Sequence, residues 1–220
     1  MRKTIFVLCL AMILPKIMTG CHQIDNLNPP TQHKINNAAN RPEVITSDSQ
    51  QQTNDLQFFL NRPQTKPAST SIKIYKGLRV LELYGDRVMI GRFKIALGGN
   101  PTGDKNQEGD SRTPEGQYYI CTRNDRSRFT LFLGLSYPNI EDAQRGLENQ
   151  LINSATFDNI KRAIEQKQQP PWNTPLGGAV GIHGKGNEYD WTLGCIALSD
   201  EDIKILWEYV PLITPVEILK

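Results

Sequence analysis

The sequence predicts an α+β protein that is mostly β: an antiparallel β-sandwich or barrel-like domain with a helical insertion and a C-terminal helix. Three observations predict it. From Ser71 onward, short runs of β-branched and aromatic residues alternate with polar ones between turn residues. From Glu141 to Gln168, apolar residues recur instead at helical spacing. After Ser199, a capped apolar stripe runs to Pro211.

The elements follow in order. Ile72 and Ile74, then Leu78, Val80 and Leu83, alternate with polar residues around Lys76-Gly77, as in a hairpin. Tyr84-Gly85-Asp86-Arg87 is a second turn, and Val88 to Leu97 a further β-rich run. Tyr118-Tyr119-Ile120-Cys121 and Val216-Glu217-Ile218-Leu219 complete the strand set. Ala143, Leu147 and Leu151 share one helical face, and Phe157, Ile160 and Ile164 a second, with Pro170-Pro171 expected to end that helix. This insertion, 141–168, reads either as a lid over a cleft or as protection for a sheet edge. Ser199, with Asp202 three residues on, caps a helix whose stripe is Ile203, Leu206, Trp207 and Val210.

The segment before the domain has a different composition. Met1-Arg2-Lys3 precedes an apolar run from Ile5 to Leu14, which Pro15-Lys16 breaks. Ten helical residues rise about 15 Å, half of a ~30 Å hydrocarbon core, so the run has the layout of an export signal and not of a stable span. Met18-Thr19-Gly20-Cys21 resembles a bacterial lipobox, which implies cleavage before Cys21, lipidation of its thiol and a lipid anchor in the membrane. His22, in place of Asp, favours the outer membrane of a two-membrane bacterium, with the domain in the periplasm. Residues 22–70 hold seven Asn, seven Gln and five Pro and keep no period, so they read as a flexible polar tether. Leu56 to Leu60 interrupts it and reads either as a single helical turn that docks on the domain or as more tether. The expected organisation is thus 1–20 signal, 21–70 tether and 71–220 domain.

Charge narrows the function classes. The chain carries 25 Lys+Arg against 23 Asp+Glu, which excludes a strongly basic nucleic-acid binder. Removing residues 1–20 takes away Arg2, Lys3 and Lys16 and no acid, so the slight basicity belongs to the signal. Within the domain two cysteines and one histidine remain: Cys121, Cys195 and His183. They show no CxxC or HxxxH spacing, so neither a metal nor another cofactor is expected. Cys121 lies in an apolar strand and reads as a buried structural thiol. Cys195 follows Gly194, and His183 precedes Gly184. Glycine before a nucleophile lets the backbone approach substrate closely and aim N–H groups at a developing oxyanion. A thiol needs a base, and His183 is the one histidine of the domain. On composition alone, a satisfied core histidine and a buried cysteine stay open as the rival reading.

The residues then resemble a family. Ile182-His183-Gly184, Thr192-Leu193-Gly194-Cys195-Ile196, Leu198-Ser199 and Thr214-Pro215-Val216 look like the YkuD-type L,D-transpeptidase catalytic domain. Upstream, Ala96-Leu97-Gly98 and Gly109-Asp110-Ser111-Arg112-Thr113-Pro114-Glu115-Gly116 are similar to the family's Thr-Pro-x-Gly turn. Ser136-Tyr137-Pro138-Asn139 and Asp190 to Leu198 look most like its YafK branch. The resemblance implies Cys195 as nucleophile, His183 as proton donor and acceptor, and the backbone N–H groups of Gly194 and Cys195 as the oxyanion hole. It implies a peptidoglycan-modifying acyltransferase that takes stem peptides through a Cys thioester. With water as acceptor, the same chemistry becomes a hydrolase that releases a peptidoglycan-tethered lipoprotein. A non-catalytic wall-binding lipoprotein is a third class. Leu193 and Ala197 replace the His and the Arg or Asn that many members carry, so acceptor contacts do not transfer. Arg112 reads as a substrate-carboxylate ligand or as an ion-pair partner of Asp110. Tyr137 and Trp191 read as cleft lining or as aromatic packing, and Gly184 and Thr192 as substrate-side positions.

Overall fold

The structure is a computed structural model that describes residues 61–220. The signal, the lipobox at Cys21 and the turn at Leu56 lie outside the described residues. Eight strands form: β1 (Thr70–Tyr75), β2 (Val80–Gly85), β3 (Val88–Lys94), β4 (Gly116–Asn124) and β8 (Pro215–Leu219) on the expected runs, and β5 (Phe132–Leu135), β6 (Gly181–His183) and β7 (Ile196–Ala197) where no run was expected. They form one sheet in the order β3-β2-β1-β8-β4-β5-β6-β7. Pairings are antiparallel except β1 with β8 and β6 with β7.

The sheet is mostly antiparallel, as expected, and of the sandwich or barrel-like forms it takes the barrel-like one. It curls until its two ends meet. Ala96, just past edge strand β3, bridges Ala197 in edge strand β7, and Gly98 bridges Thr192. Closure of this kind satisfies edge N–H and C=O groups that would otherwise stay open. Leu78 is corrected by the structure: it sits in the β1–β2 turn, 66% exposed, where Arg79 takes a positive φ.

The strand alternation buries Ile72, Ile74, Leu81, Leu83 and Phe93 with Leu133, Ile182 and Ile196 in one core. Helix α3 (Asp200–Tyr209) lays Ile203 and Leu206 on that core. Ser199 caps it, its hydroxyl accepting from the Asp202 N–H at 3.0 Å.

The insertion forms α1 (Ile140–Glu148) and α2 (Ser154–Glu165), which share a separate core of Ala143, Ile152, Ile160 and Leu176. Asn139 and Asp142 make a reciprocal capping box at α1. The first helix stops before Leu151 and the second well before Pro170, and for one reason. The chain leaves α2 through Lys167 at φ 56°, whose N–H donates to Ile164 O while Gln168 N–H donates to Ala163 O. That is a Schellman termination, so Pro170-Pro171 is not what stops the helix. Gln150 ends α1 in the same way, which places Leu151 beyond the helix but still against its core.

Candidate active site

The Cys195 and His183 positions are set by adjacent parallel strands. His183 closes β6 and pairs with Ala197, while Cys195 immediately precedes β7. Both side chains line one cleft of about 700 Å³. Its walls include Phe129, Phe132, Ala179, Val180, Trp191, Thr192 and Leu193.

The imidazole is buried and held in one tautomer. Nδ1 lies 2.7 Å from the Gly184 carbonyl. A carbonyl only accepts, so Nδ1 carries the proton and Nε2 keeps a lone pair. Phe129 stacks on the ring at 4.5 Å, and Trp191 meets it at 5.6 Å. Burial lowers the His183 pKa below its ordinary value, and the Gly184 bond only partly restores it.

The thiol is half-buried and opens on the cleft. Its Sγ lies 3.6 Å from the Ala179 carbonyl, within reach of a weak S–H donor. Ala179 itself sits at φ 52°, a left-handed conformation uncommon outside glycine. Packed surroundings push the Cys195 pKa up to about 11, against the Gly181 N–H and the charge of Lys105, which both favour thiolate. With the thiol raised and the imidazole lowered, the resting pair is thiol and neutral imidazole. Cys121 is pushed up to about 12 by burial and stands outside the cleft.

The turn that presents Cys195 is tightly bonded. Thr192 Oγ1 accepts from the Gly194 N–H at 3.1 Å and donates to the Cys195 carbonyl at 2.7 Å. The Gly194 N–H is therefore not the free oxyanion donor that the sequence suggests. Gly194 is needed for another reason: its φ is 134°, and a Cβ there would lie 2.6 Å from the Arg112 carbonyl. Upstream, Asp190 accepts from Arg79 Nε and Nη2 and from the Leu97 N–H, which fixes the entry to the turn.

The remaining expectations divide. Trp191 and Thr192 line the cleft. Tyr137 does not: it is fully buried in the core, its hydroxyl donating to Leu176 O at 2.9 Å. Gly184 is buried, and a Cβ there would meet Asp200 Oδ1 at 2.4 Å, so close packing explains the glycine. The Arg112 guanidinium reaches Asp104 O, outside the cleft, and it is the Arg112 N–H that meets Asp110. The Asp110 carboxylate is occupied by Lys105 at 2.8 Å and by the N–H groups of Asn106, Gln107 and Arg112. Burial alone would raise Asp110, but these partners together hold it below the usual carboxylate range.

The insertion is neither lid nor edge cover. It joins β5 to β6, which pair with each other, and contributes no residue to the cleft wall. Arg145 instead ties α1 to the loop carrying Lys105, through Asp104 at 2.6 Å.

Sequence reasoning missed Lys105 and the loop 124–132, which supplies Asn124, Arg126, Ser127, Arg128, Phe129 and Phe132 to the cleft. The signal was present as a polar, Arg-rich stretch directly after a strand.

No curated protein matches the chain. Among solved structures, it is similar to an L,D-transpeptidase from Xylanimonas cellulosilytica at 14% identity and a TM-score of 0.40, over 71% of this chain and 62% of that one. It is similar to Bd1075 from Bdellovibrio bacteriovorus at 21% and 0.45, over 74% and 52%. The helical cell shape determining protein Pgp2 from Campylobacter jejuni gives 19% and 0.47, over 76% and 52%. The chain thus spans 52–62% of the length of these structures. The model of the YkuD family, described as the L,D-transpeptidase catalytic domain, matches residues 69–218, and the chain belongs to that family.

Proposed function

We propose that this domain is a cysteine acyltransferase acting on peptidoglycan stem peptides. The observation that carries the proposal is the shared cleft of Cys195 and a His183 whose Nε2 is left as an acceptor. In the reaction, Cys195 Sγ bonds to the carbonyl carbon of the third, diamino-acid residue as its S–H proton passes to His183 Nε2. The resulting oxyanion is met by the Cys195 N–H, since Thr192 occupies that of Gly194. Breaking the peptide bond releases D-alanine, which takes the proton from His183, and leaves a thioester. An amine acceptor gives its proton to His183, attacks the thioester and restores the thiol. Because the resting pair is neutral, His183 acts as a general base during attack and not as the partner of a preformed thiolate.

An amine from a second stem peptide yields a cross-link, a lipoprotein lysine yields a tethered envelope, and water yields hydrolysis. Mass spectrometry of sacculi treated with the purified domain distinguishes them. New cross-links are the expected result, and released lipoprotein would identify the hydrolase. No change in the sacculi, or equal activity from Cys195→Ala, refutes the enzyme reading.

The proposed setting is the periplasmic face of an outer membrane, with Cys21 as anchor. Labelled fatty acid incorporated by the full chain and lost in Cys21→Ser is the expected outcome. Unlabelled wild-type chain refutes the anchor.

A further inference from the structure

The cleft is asymmetric in charge. Arg126 and Arg128 stand on its wall, and no Asp or Glu does. Neither guanidinium has a carboxylate partner among the described residues, although most arginines of the domain are engaged. The contrast is sharpest within one segment. Arg123 is consumed by structure: it donates to Trp207 O and Val210 O and lies 3.9 Å over the Trp207 ring. Arg126 and Arg128, a few residues on, are exposed. Asp125 belongs to the same loop but is not part of the cleft wall.

The two exposed arginines are nevertheless seated. The Arg126 N–H is fixed by Asn124 Oδ1 at 2.8 Å, and the Phe129 N–H by Ser127 Oγ at 3.1 Å. Arg128 lies 4.8 Å over the Phe129 ring, which also stacks on the His183 imidazole. Phe129 O also accepts from the Gly184 N–H at 3.0 Å, so the loop is bonded to the base's own strand end. A guanidinium stacked on an aromatic keeps its N–H fork in plane and available for a carboxylate.

We infer that Arg126 and Arg128 are specificity-determining residues that bind a free carboxylate of the acyl donor, so that the substrate is an anionic peptide carrying that carboxylate on the side chain of the residue whose carbonyl is attacked. The inference rests on the acyl-transfer reading for its substrate but not for its charge preference. Arg112, which the sequence offered for this role, points elsewhere.

The test separates the two. Cys195 is alkylated with anionic iodoacetate and neutral iodoacetamide, its modification read by peptide mass spectrometry in wild type and in Arg126→Gln/Arg128→Gln. The expected result is an iodoacetate-to-iodoacetamide rate ratio that falls several-fold in the variant and at high salt. In parallel, a stem peptide with a free carboxylate on its diamino acid is compared with its amidated form. Wild type should favour the free acid by roughly ten-fold or more in kcat/KM, and the variant should lose that preference. An unchanged alkylation ratio together with no carboxylate preference overturns the inference and leaves acyl transfer standing. A fallen ratio with neither peptide consumed upholds the anion site and overturns acyl transfer.

Discussion

Thr192 Oγ1 donates to the Cys195 carbonyl at 2.7 Å while accepting from the Gly194 N–H at 3.1 Å, so one hydroxyl ties both ends of the turn that carries the thiol. Thr192→Val keeps the shape and removes both bonds. Each buried bond contributes roughly 0.5–1.5 kcal/mol, and the freed N–H and C=O add a desolvation cost. A melting temperature lower by several degrees, and an acyl-transfer rate reduced roughly ten-fold or more, are expected. Thr192→Ser should recover most of both.

The protonation states set the pH profile. The Cys195 thiol sits near 11, so its thiolate fraction keeps growing past the point where an ordinary thiol saturates. Alkylation of Cys195 by iodoacetamide should rise about ten-fold per pH unit from 7 through 10. A plateau near pH 8.5 would contradict the buried environment. On the acid side, His183 titrates below its ordinary 6.5, so it stays neutral and able to accept a proton at pH 6.5. The acid limb of acyl transfer therefore falls below that pH. The same sign applies to stability: the unfolded chain protonates its histidine first, so the His183 contribution is full above 6.5 and is lost as pH falls.

Lys105 is buried beneath this turn, its stem 3.8 Å from where a Gly194 Cβ would stand, and its charge favours the thiolate. Lys105→Gln keeps a donor for Asp110 but removes the charge. The Cys195 pKa should move further up, which ultraviolet titration of the thiolate reports. Alkylation at pH 8 should slow by several-fold, roughly in proportion to the lost thiolate.

Gly194→Ala tests the close approach. The new Cβ would meet the Arg112 carbonyl at 2.6 Å from a backbone at φ 134°. Strain of this kind costs on the order of 1–3 kcal/mol, and relief by moving the turn displaces Cys195. Thermal unfolding should show the loss, and Cys195 alkylation should change with it. Gly109→Ala, at a positive φ but with no atom within 4 Å, is the control expected to cost less.

Much of the site was legible because its residues carry local chemistry. Cys195 and His183 were readable from glycines beside scarce reactive side chains, and the structure puts both in one cleft. The strands were readable from alternation, except β5, β6 and β7, which are too short to show a period. Closure of the sheet through Ala96 and Ala197 joins segments a hundred residues apart and leaves no local signature. Helix ends were misread because left-handed Gln150 and Lys167 stop the chain where no Gly or Pro announces it. Arg112 and Tyr137 were misplaced because their residue types suit a cleft, while packing around Asp104 and Leu176 decides where they point.

Strand β8, last in the chain order, lies between β1 and β4 at the middle of the sheet. A growing chain that has emerged only as far as α3 owns two half-sheets, each with an open inner edge, on β1 and on β4. Neither half holds the whole core, since Val216 and Ile218 are the residues that complete it. The fold therefore closes like a zip fastened from its centre, and it does so only when synthesis has passed Leu219. Until then the exposed edges are templates for pairing with other chains.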